Sequence, residues 1–104
     1  MKAPSEFHRL CQFFHQDVLR LFPSLEVAAV ESVMSLTKAE RPIVRDFLES
    51  VLAGNQGEEE VAELWRQSPA QIGFSELRVV RYLLELVRDA LDAQLARDAR
   101  SSEK

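Results

Sequence analysis

Apolar residues recur every three to four positions along most of the chain, which is the spacing that places side chains on one face of an α-helix. Five such segments follow one another, separated by short stretches that contain proline, glycine or serine. No run alternates apolar and polar residues as a half-buried strand would. The pattern predicts an all-α fold, a single orthogonal bundle of four to five helices, formed by one helical domain over residues 1–104 and ordered over about residues 5–97.

The first two segments are separated by a proline. Ser5 can act as the N-cap of the first helix, and Pro23 ends it because the residue before a proline is pushed out of the α region. Ser24 can then cap a short second helix. The expected buried stripe of the first helix is Phe7, Leu10, Cys11, Phe14, Val18 and Leu21, and that of the second is Val27, Val30, Val33 and Met34.

The third segment begins with a capping box. The Thr37 hydroxyl and the Glu40 carboxylate can each accept the backbone N–H of the other residue, and Pro42 suits the first turn that follows. Gly54-Asn55 is expected to end the helix in a left-handed conformation. The expected apolar stripe is Ile43, Phe47, Leu48, Val51 and Leu52.

The fourth segment is short and begins with three glutamates. Residues 58–60 occupy its expected first turn, where the positive end of the helix dipole favours carboxylates. Leu64 and Trp65 follow at helical spacing, and Ser68-Pro69 closes the helix. We expect Leu64 and Trp65 to be buried and to dock this helix onto the last one.

The fifth segment predicts the longest helix, Ser75–Arg97, capped by its first serine. Residues 98–104 are polar and are expected to fray. The predicted stripe is Leu77, Val80, Leu83, Leu84, Val87, Leu91 and Leu95, and the predicted i,i+4 ion pairs are Arg81–Glu85 and Arg88–Asp92.

Negative charge is concentrated in the middle of the chain. The net charge is −4, but residues 24–67 carry nine acidic against four basic residues. Phosphate binding requires clustered Lys and Arg, so nucleic acid is not expected as a partner. The cluster is predicted to bind a basic protein partner, and the alternative is a solvated helix start that complements the dipole. Its members are Glu58, Glu59, Glu60 and Glu63.

His8, Cys11 and His15 are the residues that could hold a soft metal ion or supply a thiol–imidazole nucleophile. On one helix face the two histidines would lie two turns apart, about 10.5 Å along the axis. One zinc ion needs its ligand atoms within about 2.3 Å, so we expect no metal and no cofactor, but a buried cysteine between two half-buried histidines. No glycine-rich elbow, phosphate loop or HExxH motif is present, and no enzymatic activity is expected.

The sequence favours a soluble cytoplasmic protein that does not enter the membrane. The N-terminal residues lack the apolar run of a signal peptide, and no stretch approaches the length of about 20 apolar residues that spans a bilayer. Cys11 is the only cysteine, so no intramolecular disulfide can form.

Three sequence elements carry a family resemblance. They are FFHQD at residues 13–17, EEVAELW at residues 59–65, and Phe74 in the loop before the closing leucine-rich helix. In this order the chain resembles the bacterial immunity proteins of contact-dependent growth inhibition systems. The resemblance implies a small, cytoplasmic, helical protein that binds a cognate toxin domain and blocks it. It also implies that His15, Gln16 and Asp17 form the family-like element.

Two functions follow from these observations. The preferred one is immunity, in which the acidic middle of the chain steers a basic toxin domain into a tight complex. The alternative is a small homodimeric helical scaffold or regulatory adaptor without catalytic activity, which self-associates through the predicted helix at Ser75–Arg97. An apolar stripe wider than the domain can bury would favour this alternative.

Overall fold

Six helical segments form the described part of the chain, and that part contains no strand. The computed structural model describes residues 3–54, 57–71, 73 and 76–102. The segments are α1 (Ser5–Cys11), α2 (Val18–Leu21), α3 (Leu25–Met34), α4 (Glu40–Ala53), α5 (Glu58–Arg66) and α6 (Leu77–Ser102). Since α2 is one turn of 4 residues, five segments are longer than a single turn. The prediction of an all-α helical bundle is confirmed.

The other helices are organised around α6. α3, α4 and α5 pack along it, while α1 packs on α4 and α2 on α3. The 26 residues of α6 give it a length of about 39 Å. Leu95 is half-buried, and the Leu77 side chain and the predicted cap Ser75 lie outside the described residues. The buried members of the predicted stripe are Val80, Leu83, Leu84, Val87 and Leu91.

α6 ends later than the sequence predicts. The helix was expected to stop near Arg97, but it continues to Ser102. Asp98 explains the extra turn, because its carboxylate accepts hydrogen bonds from Arg41 Nη1 at 2.9 and 3.1 Å and from Gln94 Nε2 at 3.0 Å. Arg41 belongs to α4 and is buried. The contact therefore fastens the last turns of α6 to the rest of the bundle.

The two α6 arginines that were predicted to pair along that helix contact α4, and Arg88 also contacts its neighbour Asp89 at 3.3 Å. The prediction of the pairs Arg81–Glu85 and Arg88–Asp92 is wrong, because α4 supplies acceptors to both arginines and a donor to Asp92. The order of these contacts along the two helices shows that α4 runs antiparallel to α6. The contacts are Arg81 Nη2 to the Leu52 carbonyl at 2.9 Å, Arg88 Nη1 to Glu49 Oε2 at 3.5 Å, and Arg45 Nε to Asp92 Oδ1 at 2.8 Å.

The first predicted helix is interrupted between α1 and α2. The Phe14 ring packs edge-on against Trp65 with 5.4 Å between ring centroids. The Phe14 carbonyl also accepts the backbone N–H of Gln71 at 2.9 Å. These contacts with α5 and the following loop outweigh the local helical preference. As a result Leu21, expected in the buried stripe, is exposed at the end of α2.

Of the three predicted N-caps that lie within the described residues, two are formed and one is not. Ser24 Oγ accepts the backbone N–H of the third residue after it at 3.2 Å. The capping box is also present, since the Thr37 N–H donates to Glu40 Oε1 at 2.8 Å and the Glu40 N–H donates to Thr37 Oγ1 at 3.2 Å. Ser5 is not a cap, because α1 begins one position earlier and Pro4 occupies the N-cap position.

α3 turns a different face to the core than the sequence predicts. Of its predicted apolar side only Val33 is buried, while Val27, Val30 and Met34 are exposed. Small side chains at a helix contact allow the two axes to approach closely, which favours this face for packing on α6. The residues buried together with Val33 are Ala28, Ala29 and Ser32.

α4 departs from prediction at two positions. Ile43 was expected in its buried stripe but is exposed, and Val44 is buried in its place. This one-residue shift rotates the buried face of the first turn by about 100°. Gly54 was expected in a left-handed conformation, but its φ of −77° and ψ of 177° are extended. Asn55 lies outside the described residues.

The bundle is flattened, with extents of 46 × 33 × 20 Å and a radius of gyration of 13.3 Å. That radius matches the value of about 13 Å expected for a folded chain of this length. Among the described residues, no helix combines the length and the apolar character that crossing a bilayer requires.

Candidate functional site

α5 is a short helix with one buried and one exposed side. Trp65 is only 3% exposed and contacts Phe14 through its ring. Gly57 precedes the helix in an extended conformation and serves as its N-cap. The burial of Trp65 agrees with the expectation from its helical spacing. The buried residues that anchor α5 are Val61, Ala62, Leu64 and Trp65.

The predicted acidic cluster lies on the exposed side of α5. Glu59, Glu60 and Glu63 are all exposed, and the Glu58 side chain lies outside the described residues. The four anchoring residues hold the backbone beneath these carboxylates in place. The result is an exposed acidic surface on an anchored helix, and we call it the α5 acidic face (Glu59, Glu60 and Glu63).

Arg66 compensates part of the charge of this face. Its guanidinium contacts Glu63 at 2.7 Å and Glu59 at 3.8 Å, and Gln67 Nε2 donates to Glu63 at 3.2 Å. The hydrogen bond from Arg66 is the main reason that the pKa of Glu63 lies below its usual value, and the bond from Gln67 adds to it. Glu63 is therefore ionised at neutral pH. The three carboxylates outnumber the single guanidinium, and the face remains acidic.

His15, Gln16 and Asp17 form a turn between α1 and α2. The backbone N–H of Asp17 donates to His15 Nδ1 at 3.2 Å, and the Asp17 carbonyl accepts the N–H groups of Arg20 and Leu21 at 3.0 Å. His15 is half-buried, while the other two side chains are exposed. All these contacts are local, and they support the start of α2.

The family-like element and α5 are linked through the aromatic core. Phe14 immediately precedes His15 and packs against Trp65 of α5. The fold thus attaches the turn to the helix that carries the acidic face. Phe13 continues the aromatic chain, stacking on Phe22 with 5.5 Å between centroids.

His8, Cys11 and His15 do not share a helix face, because α1 ends at Cys11. His8 is exposed, contrary to the expectation of two half-buried histidines, while Cys11 is fully buried. Burial raises the pKa of the Cys11 thiol to about 12, against a smaller lowering by a hydrogen bond with Ser68. The thiolate is the nucleophilic form, so this cysteine is poorly suited to covalent catalysis. The described residues contain no group of three or more His, Cys, Asp or Glu side chains placed to hold a metal ion.

A second surface, which the sequence did not predict, lies on the outer side of α3. Val27, Val30 and Met34 are 39%, 51% and 51% exposed. Spacings of three and four residues make them neighbours on one side of the helix. This row is referred to below as the α3 face. The sequence feature that could have predicted this face is the presence of apolar residues on both sides of α3, because only one side can pack against the core.

Two carboxylates flank the α3 face. Glu26 and Glu31 are both exposed, and the 3.6-residue period of the helix places them on opposite sides of the apolar row. The Tyr82 hydroxyl of α6 donates to Glu26 Oε1 at 2.8 Å. That bond is the main reason that the pKa of Glu26 is lowered, and it holds this carboxylate beside the row.

A shallow groove of about 440 Å³ lies between the end of α1 and the end of α3. It is lined by Arg9, Gln12, Phe13 and Ser35. Arg9 already contacts Glu40 at 3.4 Å, and the groove is open to solvent. It lacks the enclosed apolar walls that are typical of small-molecule sites.

No family model, curated protein or solved structure matches the chain.

Proposed function

We propose that the protein works by binding another protein, and that it is an immunity protein which blocks the toxin domain of a contact-dependent growth inhibition system. It would act in the bacterial cytoplasm without catalysing a reaction. The observation that carries this proposal is the α5 acidic face, whose helix is anchored to the core by four buried residues. The resemblance of residues 13–17 and 59–65 to the immunity family supports it.

The charge of this face suggests how a complex would form. An acidic surface attracts a basic partner and raises the association rate, which matters for a protein that must capture a toxin before it acts. Many toxin domains that act on nucleic acid are basic, because their substrate is a polyanion. Once bound, the immunity protein would cover the active site of the toxin and exclude its substrate.

Rigidity contributes to affinity in the same site. Ordering of flexible side chains and loops opposes association. Because the backbone of α5 is already fixed by Val61, Ala62, Leu64 and Trp65, less ordering remains when a partner binds. The flanking turn at residues 15–17 is tied to α5 through Phe14 and Trp65.

Co-expression tests the proposed function. A candidate toxin domain from a neighbouring gene is expressed in a sensitive bacterium with and without the full chain. We expect growth only when the chain is present, and inhibition of the purified toxin at a one-to-one ratio. Growth arrest in both cultures, or an active toxin in the presence of excess protein, would contradict immunity.

A homodimeric scaffold or adaptor is the second candidate. The exposed α3 face favours it, because apolar surface is commonly covered in oligomers. The predicted stripe of α6 does not favour self-association, because its described leucines and valines are buried within the chain, apart from half-buried Leu95. Sedimentation equilibrium tests this candidate. A dimer that dissociates when Val30 is replaced by Gln would support it, and a monomer at high concentration would remove it.

A further inference from the structure

We propose that the α3 face is a docking surface for a partner segment that presents an apolar row flanked by basic side chains. This role rests on the protein-binding function proposed above, and it names a contact surface and a partner chemistry that the α5 acidic face does not supply. It does not depend on the partner being a toxin.

The geometry of the α3 face fits a helix or an extended segment. Val27 and Met34 lie seven positions apart, or about 10.5 Å along the helix axis, and Val30 lies between them. Each of the three is at least 39% exposed. Apolar side chains scattered singly over a surface need no explanation, but three in an unbroken row form a contiguous patch. A groove or ridge of this length matches two turns of a partner helix.

α3 is unusual for a surface helix because both of its sides are apolar. Its inner side is buried in the core and consists of Ala28, Ala29, Ser32 and Val33. An amphipathic surface helix would place polar residues opposite these four. Here the opposite side carries valine and methionine, the latter being well suited to adaptable contacts. The outer side therefore has the composition of an interface.

The charged residues beside the α3 face indicate the chemistry of the partner. Glu26 and Glu31 flank the row on its two sides, and α3 contains no lysine or arginine. Glu26 is held in place by the hydrogen bond from Tyr82 at 2.8 Å. A partner with lysine or arginine on both sides of an apolar row would pair with these carboxylates while covering the row.

A second copy of the chain fits this surface less well. A twofold contact uses the same patch on both subunits. Two α3 faces packed together would bring the glutamates of one copy close to those of the other, with no base on either helix to offset them. Like charges at an interface oppose association. The charge pattern thus favours a different, basic partner over self-association.

Titration of the full chain with a synthetic peptide tests the docking surface. The probe is a 14-residue amphipathic helix with a leucine row flanked by lysines, and its control carries glutamate in place of lysine. Amide and methyl signals in NMR spectra report the binding site. We expect the basic peptide to shift the signals of Val27, Val30 and Met34, and to bind at least about tenfold more tightly than the acidic one.

Three variants sharpen the test. Val30→Gln combined with Met34→Gln should weaken the basic peptide at least about tenfold, whereas Ile43→Gln, at an apolar position of similar exposure (44%) on α4, should leave binding unchanged. Glu31→Lys should weaken the basic peptide and strengthen the acidic one. A misfolded protein would not produce that reversal, so the last variant guards against loss of structure.

Several results would overturn the proposal. They are equal binding of the two peptides, shifts confined to α5, unchanged binding by the double variant, and a wild-type dimer that Val30→Gln dissociates. The toxin assay separates this surface from the proposed function. If the basic peptide binds the wild type and the double variant equally while a toxin domain is inhibited by the wild type, the α3 face fails while immunity stands. If the peptide behaves as expected but no toxin domain binds, the surface stands and immunity fails.

Discussion

At the scale of single residues, burial separates the structural side chains of α5 from the exposed ones. Trp65 is buried and packs against Phe14 in the segment after α1, whereas Glu59 and Glu63 on the same helix face solvent. Helical spacing alone predicted this division, because Leu64 and Trp65 continue the apolar side of α5. The tryptophan therefore belongs to the core and not to the proposed binding surface.

Replacement of Trp65 by alanine should be strongly destabilising. Truncating a buried aromatic side chain removes its packing and leaves a cavity, which typically costs about 3–5 kcal/mol. Urea denaturation followed by circular dichroism measures the free energy of unfolding. Ile43→Ala, an exposed apolar control, should change it by no more than about 0.5 kcal/mol. A similarly small effect of Trp65→Ala would place the indole at the surface and among the candidate binding residues.

Cys11 should be unreactive in the native protein. With a pKa of about 12, the thiol is almost entirely protonated at pH 8, and its burial blocks access as well. A colorimetric disulfide reagent should label it slowly in buffer and rapidly in urea, where the pKa returns to about 8.5. Rapid labelling of the folded protein would show that the thiol is exposed and ionised, and would reopen a catalytic role.

The orientation of α3 shows where residue patterns fail. Apolar residues occur on both of its sides, so periodicity cannot decide which side faces the core. The choice depends on side-chain size, since Ala28, Ala29 and Ser32 let α3 approach α6 where Val27 and Met34 would hold it away. The α3 face was missed for that reason.

At the scale of secondary-structure elements, local hydrogen bonds define the start of α4. Thr37→Ala removes the hydroxyl that accepts the Glu40 N–H and should lower the free energy of unfolding by about 1 kcal/mol. Ser5→Ala is a matched control, because Ser5 lies inside α1 and caps nothing, and it should be nearly neutral. Equal effects of the two substitutions in thermal or urea denaturation would contradict the capping role.

The contact between α4 and the end of α6 should depend on pH. Hydrogen bonds from Gln94 and then Arg41 lower the pKa of Asp98 below its usual value. A carboxyl whose folded pKa is depressed contributes stability above its unfolded pKa of about 3.9, and this contribution is lost as the pH falls through the folded value. Asp98→Asn should therefore destabilise the protein at pH 7.

The same variant should differ less from the wild type in acid. Urea denaturation at pH 7 and below about pH 3.9 gives the two differences in unfolding free energy. Asp89→Asn, at an exposed position of α6, is the control and should show little effect at either pH. A gap between Asp98→Asn and the wild type that stays constant with pH would mean that the Arg41–Asp98 contact is not formed in solution.

Element boundaries were predictable only where the signal was local. The N-caps at Ser24 and Thr37 were predicted correctly, because each depends on residues three positions apart. The break after α1 was not, since it arises from contacts of Phe14 with Trp65 and Gln71, which lie more than fifty residues away. The extension of α6 to Ser102 likewise depends on Arg41 of α4.

At the scale of the whole molecule, the fold class followed from the hydrophobic pattern, whereas the surfaces did not. Five apolar periodic segments were enough to predict a helical bundle. Which exposed side chains would gather on one surface depended on how α3 and α5 pack against α6. That packing leaves an acidic face on α5 and an apolar face on α3, the two surfaces that we propose for contact with other proteins.

A charge-neutralising variant isolates the contribution of the α5 acidic face. Replacing Glu59, Glu60 and Glu63 by glutamine removes its three carboxylates. A control variant with the same change in net charge replaces exposed acidic residues that lie outside α5 and α3. Its substitutions are Asp46→Asn, Glu76→Gln and Asp89→Asn.

The rate of association with the toxin domain, followed by stopped-flow fluorescence at low and physiological salt, tests the central claim most directly. We expect the wild type to bind fast at low salt and more slowly near physiological ionic strength, where the Debye length is about 8 Å. The α5 variant should bind more slowly, with a flatter salt dependence and little change in dissociation, while the control variant stays close to the wild type. Equal association rates for the wild type and the α5 variant at low salt would show that the three carboxylates only complement the helix dipole and do not assist binding. Failure of the wild-type chain to bind the toxin domain at all would contradict the immunity function itself.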